Sequence, residues 1–135
     1  MVVSHHWSFD SLKLSDVAAD RELMEILYLV PPLYHLNLDE WKRQRERILK
    51  HQNFFAPIHR EVGFSPMTDF AWLTPDRLVQ KTAFGDRMEI TANFGSTPFE
   101  NDQGRVAPRS VTARWLATGK RADFTPSPEG NPGAE

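Results

Sequence analysis

The sequence predicts an α+β fold: one strand-helix unit, a linking helix, and then a small antiparallel β-sheet. Three observations carry this. The chain opens on a short β-branched run, Val2-Val3, directly before polar and aromatic residues. Two stretches between residues 15 and 63 place apolar residues at helical spacing. From Met67 onward the apolar period changes from helical to two-residue. A lone strand followed by a loop and a helix reads as the last βα unit of something larger, with the later strands as a small all-β module attached after it.

Val2 and Val3 suit a short buried strand that cannot stand alone. Ser8 to Leu14 has no clear period and reads as a loop. Ser15 or Asp16 can then cap a helix with acidic side chains in its first turn. Leu23, Ile26, Leu27 and Val30 fall at i, i+3, i+4 and i+7, one apolar stripe, and Pro31-Pro32 stop that helix. Asn37 stands three residues before Glu40, the spacing of a capping box, and Leu38, Trp41, Ile48 and Phe55 lie along one side of the helix that follows. Its charged run, WKRQRERILK, reads as a solvated outer face with Glu46 near Lys42 and Lys50. Pro57 and Gly63 bring it to an end.

In the β half, Phe70 and Trp72 alternate with Asp69 and Ala71, TPDR makes a turn, and LVQKTAF and RMEITANF are joined by Gly85-Asp86. A two-residue hairpin at that point pairs Ala83 with Met88, Lys81 with Ile90 and Val79 with Ala92. One face is then apolar except at Lys81, which must reach an edge unless the turn is longer. STPFENDQGRVAP reads as a loop, and Val111, Ala113 and Trp115 alternate with Ser110, Thr112 and Arg114 as the last strand. TPSPEGNPGAE, rich in Pro and Gly, reads as a disordered or linking tail. Phe70 with Trp72, and Val111 with Trp115, are in phase with burial.

Sixteen Lys and Arg against 18 Asp and Glu give a net charge of −2, without the basic excess that a nucleic-acid surface needs. No apolar run approaches the roughly 18 residues needed to cross a bilayer, and the first residues lack the pattern of a signal peptide. A soluble chain is expected, with no membrane partner. Zero Cys leaves neither a disulfide framework nor thiolate chemistry. No nucleophile elbow, P-loop or dinucleotide fingerprint is present, and no cofactor is expected.

The most chemically capable residues of the opening stretch are His5, His6, Trp7 and Asp10. Neighbours on a strand point to opposite faces, so the two histidines cannot both reach one ion without a kink, and no metal is expected. Either histidine can be a buried side chain bonded to backbone beside a packing Trp7. The functional alternative is contact with a sugar, since Trp stacks on its apolar face and His or Asp bonds its hydroxyls. Asp69 and Asp76 are the other carboxylates weighed. Work on a glycosidic bond needs two carboxyls about 5–9.5 Å apart across a cleft. Asp76 reads instead as a turn residue and Asp69 as a polar strand position. His35 and His59 stand beside apolar residues, as core or helix-end side chains do.

Three segments carry a family resemblance: SHHWSF, LYLVPPLYHLN and, above all, MTDFAWLTPDRLVQKTAFGDRMEITANFG. From Ser4 to Trp115 the chain resembles the carboxyl-terminal portion of large glycoside hydrolases related to families 101 and 129, the endo-α-N-acetylgalactosaminidase type. The resemblance implies a (β/α)8 barrel followed by an antiparallel β domain, with SHHWSF on the last barrel strand. At the carboxyl end of such a strand barrel enzymes build their sites. Relatives commonly have His followed by Asp or Gly there, whereas His6 and Trp7 follow His5 here. The catalytic acidic pair of such enzymes belongs to earlier strands and resembles nothing in this chain.

The implied organisation is residues 1–36 as the last βα element of a truncated barrel, 37–63 as a linking helix, 64–118 as the β domain and 119–135 as a disordered tail. The implied function is that of a fragment, inactive alone, whose parent hydrolyses glycosidic bonds, with His5, His6, Trp7 and Asp10 as carbohydrate contacts and exposed strand edges open to self-association. The rival expectation is a stand-alone carbohydrate-binding or protein-interaction module using exposed aromatics such as Trp72 and Trp115. A row of solvent-facing aromatics favours the module. A bare apolar face beside the first helix favours the severed barrel.

Overall fold

Residues 18–32, 34 and 37–127 are described by a computed structural model. The expected strand at Val2-Val3, the caps at Ser15 or Asp16, and His35 lie outside these residues. In chain order the elements are α1 (Ala18–Leu27), α2 (Leu38–Val62), β1 (Met67–Trp72), β2 (Val79–Phe84), β3 (Met88–Asn93), β4 (Phe99–Asn101), β5 (Gly104–Val106), β6 (Ser110–Trp115) and β7 (Arg121–Phe124). The α+β class is as expected.

Leu23, Ile26 and Leu27 of the α1 stripe are fully buried. The helix stops three residues before the prolines. Leu29 takes a left-handed φ of 51°. Its N–H donates to the Ile26 carbonyl (3.2 Å), and the Val30 N–H donates to that of Glu25 (2.9 Å). This is the Schellman arrangement, with a leucine where glycine is usual. Burial of Leu29 offsets the strain of that φ. Val30 therefore lies outside the helix, and Pro31-Pro32 only prevent its resumption.

Asn37 caps α2 as expected, its side chain accepting from the Glu40 N–H at 2.8 Å. Pro57 does not end the helix. It sits inside it, where the N–H it lacks would have met the Asn53 carbonyl, and both residues are on the exposed side. Gly63 does end it, through close approach: φ is −61°, and a Cβ there would overlap the His59 carbonyl and imidazole. Ile48, Phe55, Ile58 and Val62 form the buried stripe, while Leu38 is exposed. Lys42, Arg45 and Glu46 face solvent as expected, although Glu46 forms no ion pair among the described residues.

The five-stranded sheet runs β1-β2-β3-β6-β7, antiparallel throughout, and β4-β5 form a separate hairpin. The β2-β3 register differs by one residue from a two-residue turn. Phe84 faces Met88, Thr82 faces Ile90 and Gln80 faces Ala92, so Gly85, Asp86 and Arg87 form the connection. Gly85 supplies the φ of 58°. Lys81 consequently faces Thr91 on the side away from the helices, and the expected conflict does not arise. Thr82, Phe84, Met88, Ile90, Ala92, Val111, Ala113 and Phe124 share the helix side, where all are buried. The Thr82 hydroxyl donates to the Leu27 carbonyl at 2.6 Å and ties α1 to the sheet.

Two further expectations are corrected. STPFENDQGRVAP is not simply a loop, because Phe99–Asn101 and Gly104–Val106 pair as β4 and β5. Arg121–Phe124, expected in the tail, is a strand that pairs with β6. Phe124 contacts Phe54 at 5.4 Å between ring centroids and His51 at 5.7 Å. Residues 128–135 of that tail lie outside the described residues. Phe124→Ala should therefore lower stability by about 3–5 kcal/mol in urea denaturation, whereas a residue in a disordered tail would change it by less than about 0.5 kcal/mol.

Candidate functional site

His5, His6, Trp7 and Asp10, the expected carbohydrate contacts, lie outside the described residues. Among the described residues no three His, Cys, Asp or Glu side chains are grouped to hold a metal ion, and no helix is long and apolar enough to cross a membrane. The carboxylates Asp69 and Asp76 serve local structure. Asp69 accepts from the Phe70 N–H (2.9 Å), and Asp76 accepts from the Leu78 N–H (3.0 Å) and the Thr74 hydroxyl (2.5 Å). Those bonds, Thr74's first, hold the Asp76 carboxyl below its ordinary range. His59 stacks on Phe55 in the last turn of α2, a helix-end placement.

Three features bring chemistry together. The first is an apolar row on β1. Met67, Phe70 and Trp72 face the same side as Phe84, Thr82 and Gln80 of β2, yet Phe70 is 37% exposed and Trp72 53%. A bulge at Thr68 keeps Met67 in this row. Tyr28 stacks on Phe70 (6.2 Å), Phe70 meets Trp72 edge-on (5.6 Å), and the Arg77 guanidinium lies 4.4 Å over the indole. The expectation that Phe70 and Trp72 pack into the core is thus corrected: they have the phase of core residues without the cover. Trp115 is half-buried, donating from its indole N–H to Glu61 at 2.6 Å.

The second feature is a cleft of about 210 Å³ on the opposite side of the sheet, roofed by β4-β5. Its floor carries Lys81, Glu89, Thr91, Thr112, Arg114 and Arg121. Strand alternation puts them there, because the same register that buries Ile90 turns Glu89 and Thr91 outward. Glu89 lies between Lys81 (3.7 Å) and Arg114 (2.5 Å).

The third is a buried charged cluster between α1 and α2. Arg21 meets Glu25 at 3.1 Å, Arg47 meets Glu22 at 2.8 Å, and Nε2 of His51 lies 3.5 Å from Glu25. His51 is fully buried, its ring between Phe55 and Phe124. Its place on the apolar stripe, three residues after Ile48 and four before Phe55, is the sequence signal for it. Burial pushes the Glu25 carboxyl up to about 7 against the pull of Arg21. Burial, with Arg21 and Arg47 adding to it, pushes the imidazole down to about 4. Glu22 is also raised by burial despite Arg47, and burial raises Tyr34 beside the two carboxyls.

Residues 1–83 match the glycosyl hydrolases related to the GH101 family, GH129, and the chain belongs to that family. The match spans α1, α2, β1 and nearly all of β2, the part of the chain that holds the charged cluster and the apolar row. A search of curated proteins finds no match.

From pH 4.5 to 6.5 the folded Glu25-His51 pair holds one proton, on the carboxyl. The unfolded pair also holds one, on the imidazole. The stability contributed by Glu25 alone is complete below 4.5 and is lost as pH rises through about 7. That of His51 alone is complete above 6.5 and is lost as pH falls through about 4. The two slopes oppose each other within the window. Glu22, also raised by burial, gives the wild-type chain and both variants a common loss of stability as pH rises. Relative to wild type, urea midpoints of His51→Gln should fall further with rising pH, and those of Glu25→Gln should fall with falling pH.

Proposed function

We propose that this chain is the carboxyl-terminal part of a glycoside hydrolase and is inactive by itself. In this reading residues 1–36 complete a (β/α)8 barrel, 37–63 link it to the β domain, and that domain runs through β7. His5, His6, Trp7 and Asp10 contact carbohydrate by hydrogen bonding and stacking. Proton transfer falls to two carboxyls on earlier barrel strands, acting through an oxocarbenium-like transition state.

The observation that carries the reading is the family match over residues 1–83. The row Met67, Phe70 and Trp72 adds the bare apolar face beside the first helix expected of a severed barrel, although its two aromatics are equally the solvent-facing row expected of a module. These residues repeat the phase of the core strands, and Tyr28, just past the end of α1, already stacks on one end of the row. Exposed apolar area with core periodicity marks a surface built to be covered. A barrel carried by the same polypeptide would meet the sheet on the side where α1 and α2 already lie. Family membership supplies the chemistry. The carboxylates Asp69 and Asp76 are engaged in local hydrogen bonds and do not line the cleft, which agrees with a catalytic pair held elsewhere. Among the described residues β1 is an edge strand, which leaves backbone groups through which the isolated chain can self-associate.

A second reading is favoured by the same row: Phe70 and Trp72, with Arg77 over the indole, form a platform for a sugar or a protein in a non-catalytic module. Assay of the purified chain on aryl glycosides separates catalysis from both readings. No turnover above the uncatalysed rate is expected. Turnover that survives stringent purification and is abolished by His5→Ala or His6→Ala would sink the proposal. Joining the chain to the missing barrel should lower the solvent accessibility of Trp72, measured by acrylamide quenching, if the row is an internal interface. Unchanged quenching favours the module.

A further inference from the structure

We propose that the cleft between the β4-β5 hairpin and the outer face of the sheet binds a saccharide, one sugar ring at a time. The ligand class draws on the family's carbohydrate chemistry, but the site is independent of whether the chain is part of a barrel. Apart from Leu73 and Lys81, its lining residues come from beyond residue 83 and so outside the matched segment.

The charges decide against an anion. Lys81, Arg114 and Arg121 line the cleft with Glu89 and Asp102, and Asp123 lies 3.5 Å from Arg121. Asp123 is not part of the lining, but with Glu89 it leaves each of the three lining cations already paired with a carboxylate. A phosphate or polyanion site needs an excess of positive charge. Apolar lining is confined to Leu73, Phe99 and Val106, which is too little for a lipid or an aromatic ligand. The alternation that remains, cation beside carboxylate beside cation, suits a vicinal diol, whose hydroxyls both donate and accept. Lys81 and Arg114 donate, Glu89 and Asp102 accept, and Asn101 and Gln103 offer both from the roof. The volume of about 210 Å³ is below the roughly 300–1,000 Å³ of sites for drug-sized ligands, as a single ring requires.

The site is also preorganised. Arg121 on β7 reaches across to the hairpin, donating to the Gln103 carbonyl at 3.3 Å and to that of Arg105. Gly104 makes this crossing possible, with φ at 127° and no room for a Cβ beside the guanidinium. Arg121 therefore ties the roof to the floor before any ligand arrives, which lowers the cost of binding.

The test is a nitrogen-15 NMR titration of the full chain with galactose, N-acetylgalactosamine and glucose. At least one sugar should give saturable shifts at Glu89, Thr91, Asn101, Gly104, Thr112 and Arg114, with a Kd of about 1–10 mM. Phe99→Ala and Lys81→Ala should each weaken binding at least about fivefold, with core amides such as Ile90 and Val111 unmoved. Absence of saturable shifts for all three sugars overturns the proposal. So do shifts centred on Phe70 and Trp72, or a response to inorganic sulfate in place of sugar. Turnover is a separate readout, so this site and the fragment reading can fail independently.

Discussion

Everything in the β half depends on the three-residue connection between Phe84 and Met88. Side chains alternate across a strand, so a slip of one residue would move the whole apolar set of one strand to the other face of the sheet. With Gly85, Asp86 and Arg87 in the turn, Thr82, Phe84, Met88, Ile90 and Ala92 face the helices together, and Lys81, Glu89 and Thr91 gather on the other side. One turn thereby fixes both the core and the cleft. The helix side contributes the apolar burial, and the Thr82 hydroxyl, bonded to the end of α1, sets where the first helix docks.

The legible parts of the fold were those decided by neighbours in sequence. The Asn37 cap, the α1 stripe and the change of period at Met67 are all local, and the structure has them. The hairpin register was open because Gly85-Asp86 fits a short turn, and only Lys81 hinted at a longer one. β4 and β5 are three residues each, too short to display a period. β7 sits between a Thr-Gly-Lys turn and a Pro-rich tail, and its single buried aromatic, Phe124, was lost in that composition.

Phe70 and Trp72 show a different limit. Their period gave the correct face, but period reports direction and says nothing of whether another element lies above. The buried cluster of Glu22, Glu25, Arg47 and His51 has the opposite history. Its members are charged residues in helices that read as amphipathic, and only His51, on an apolar stripe, signals burial. Pairing of Glu22 with Arg47 and of Glu25 with His51, each on a different helix from its partner, cannot be seen in either helix alone. The candidate site was least legible of all, since the residues singled out for sugar contact lie outside the described part of the chain, whereas the cleft is assembled from six strands.

Between about pH 4 and 7 the folded Glu25 and His51 together hold one proton. In the folded chain it resides on the acid, leaving both partners without charge in a place where charge is expensive. Loss of either residue leaves the other to set its part of the pH slope unopposed. A change at either position alters the pH response of the seam between the helices, and with it that of the whole fold.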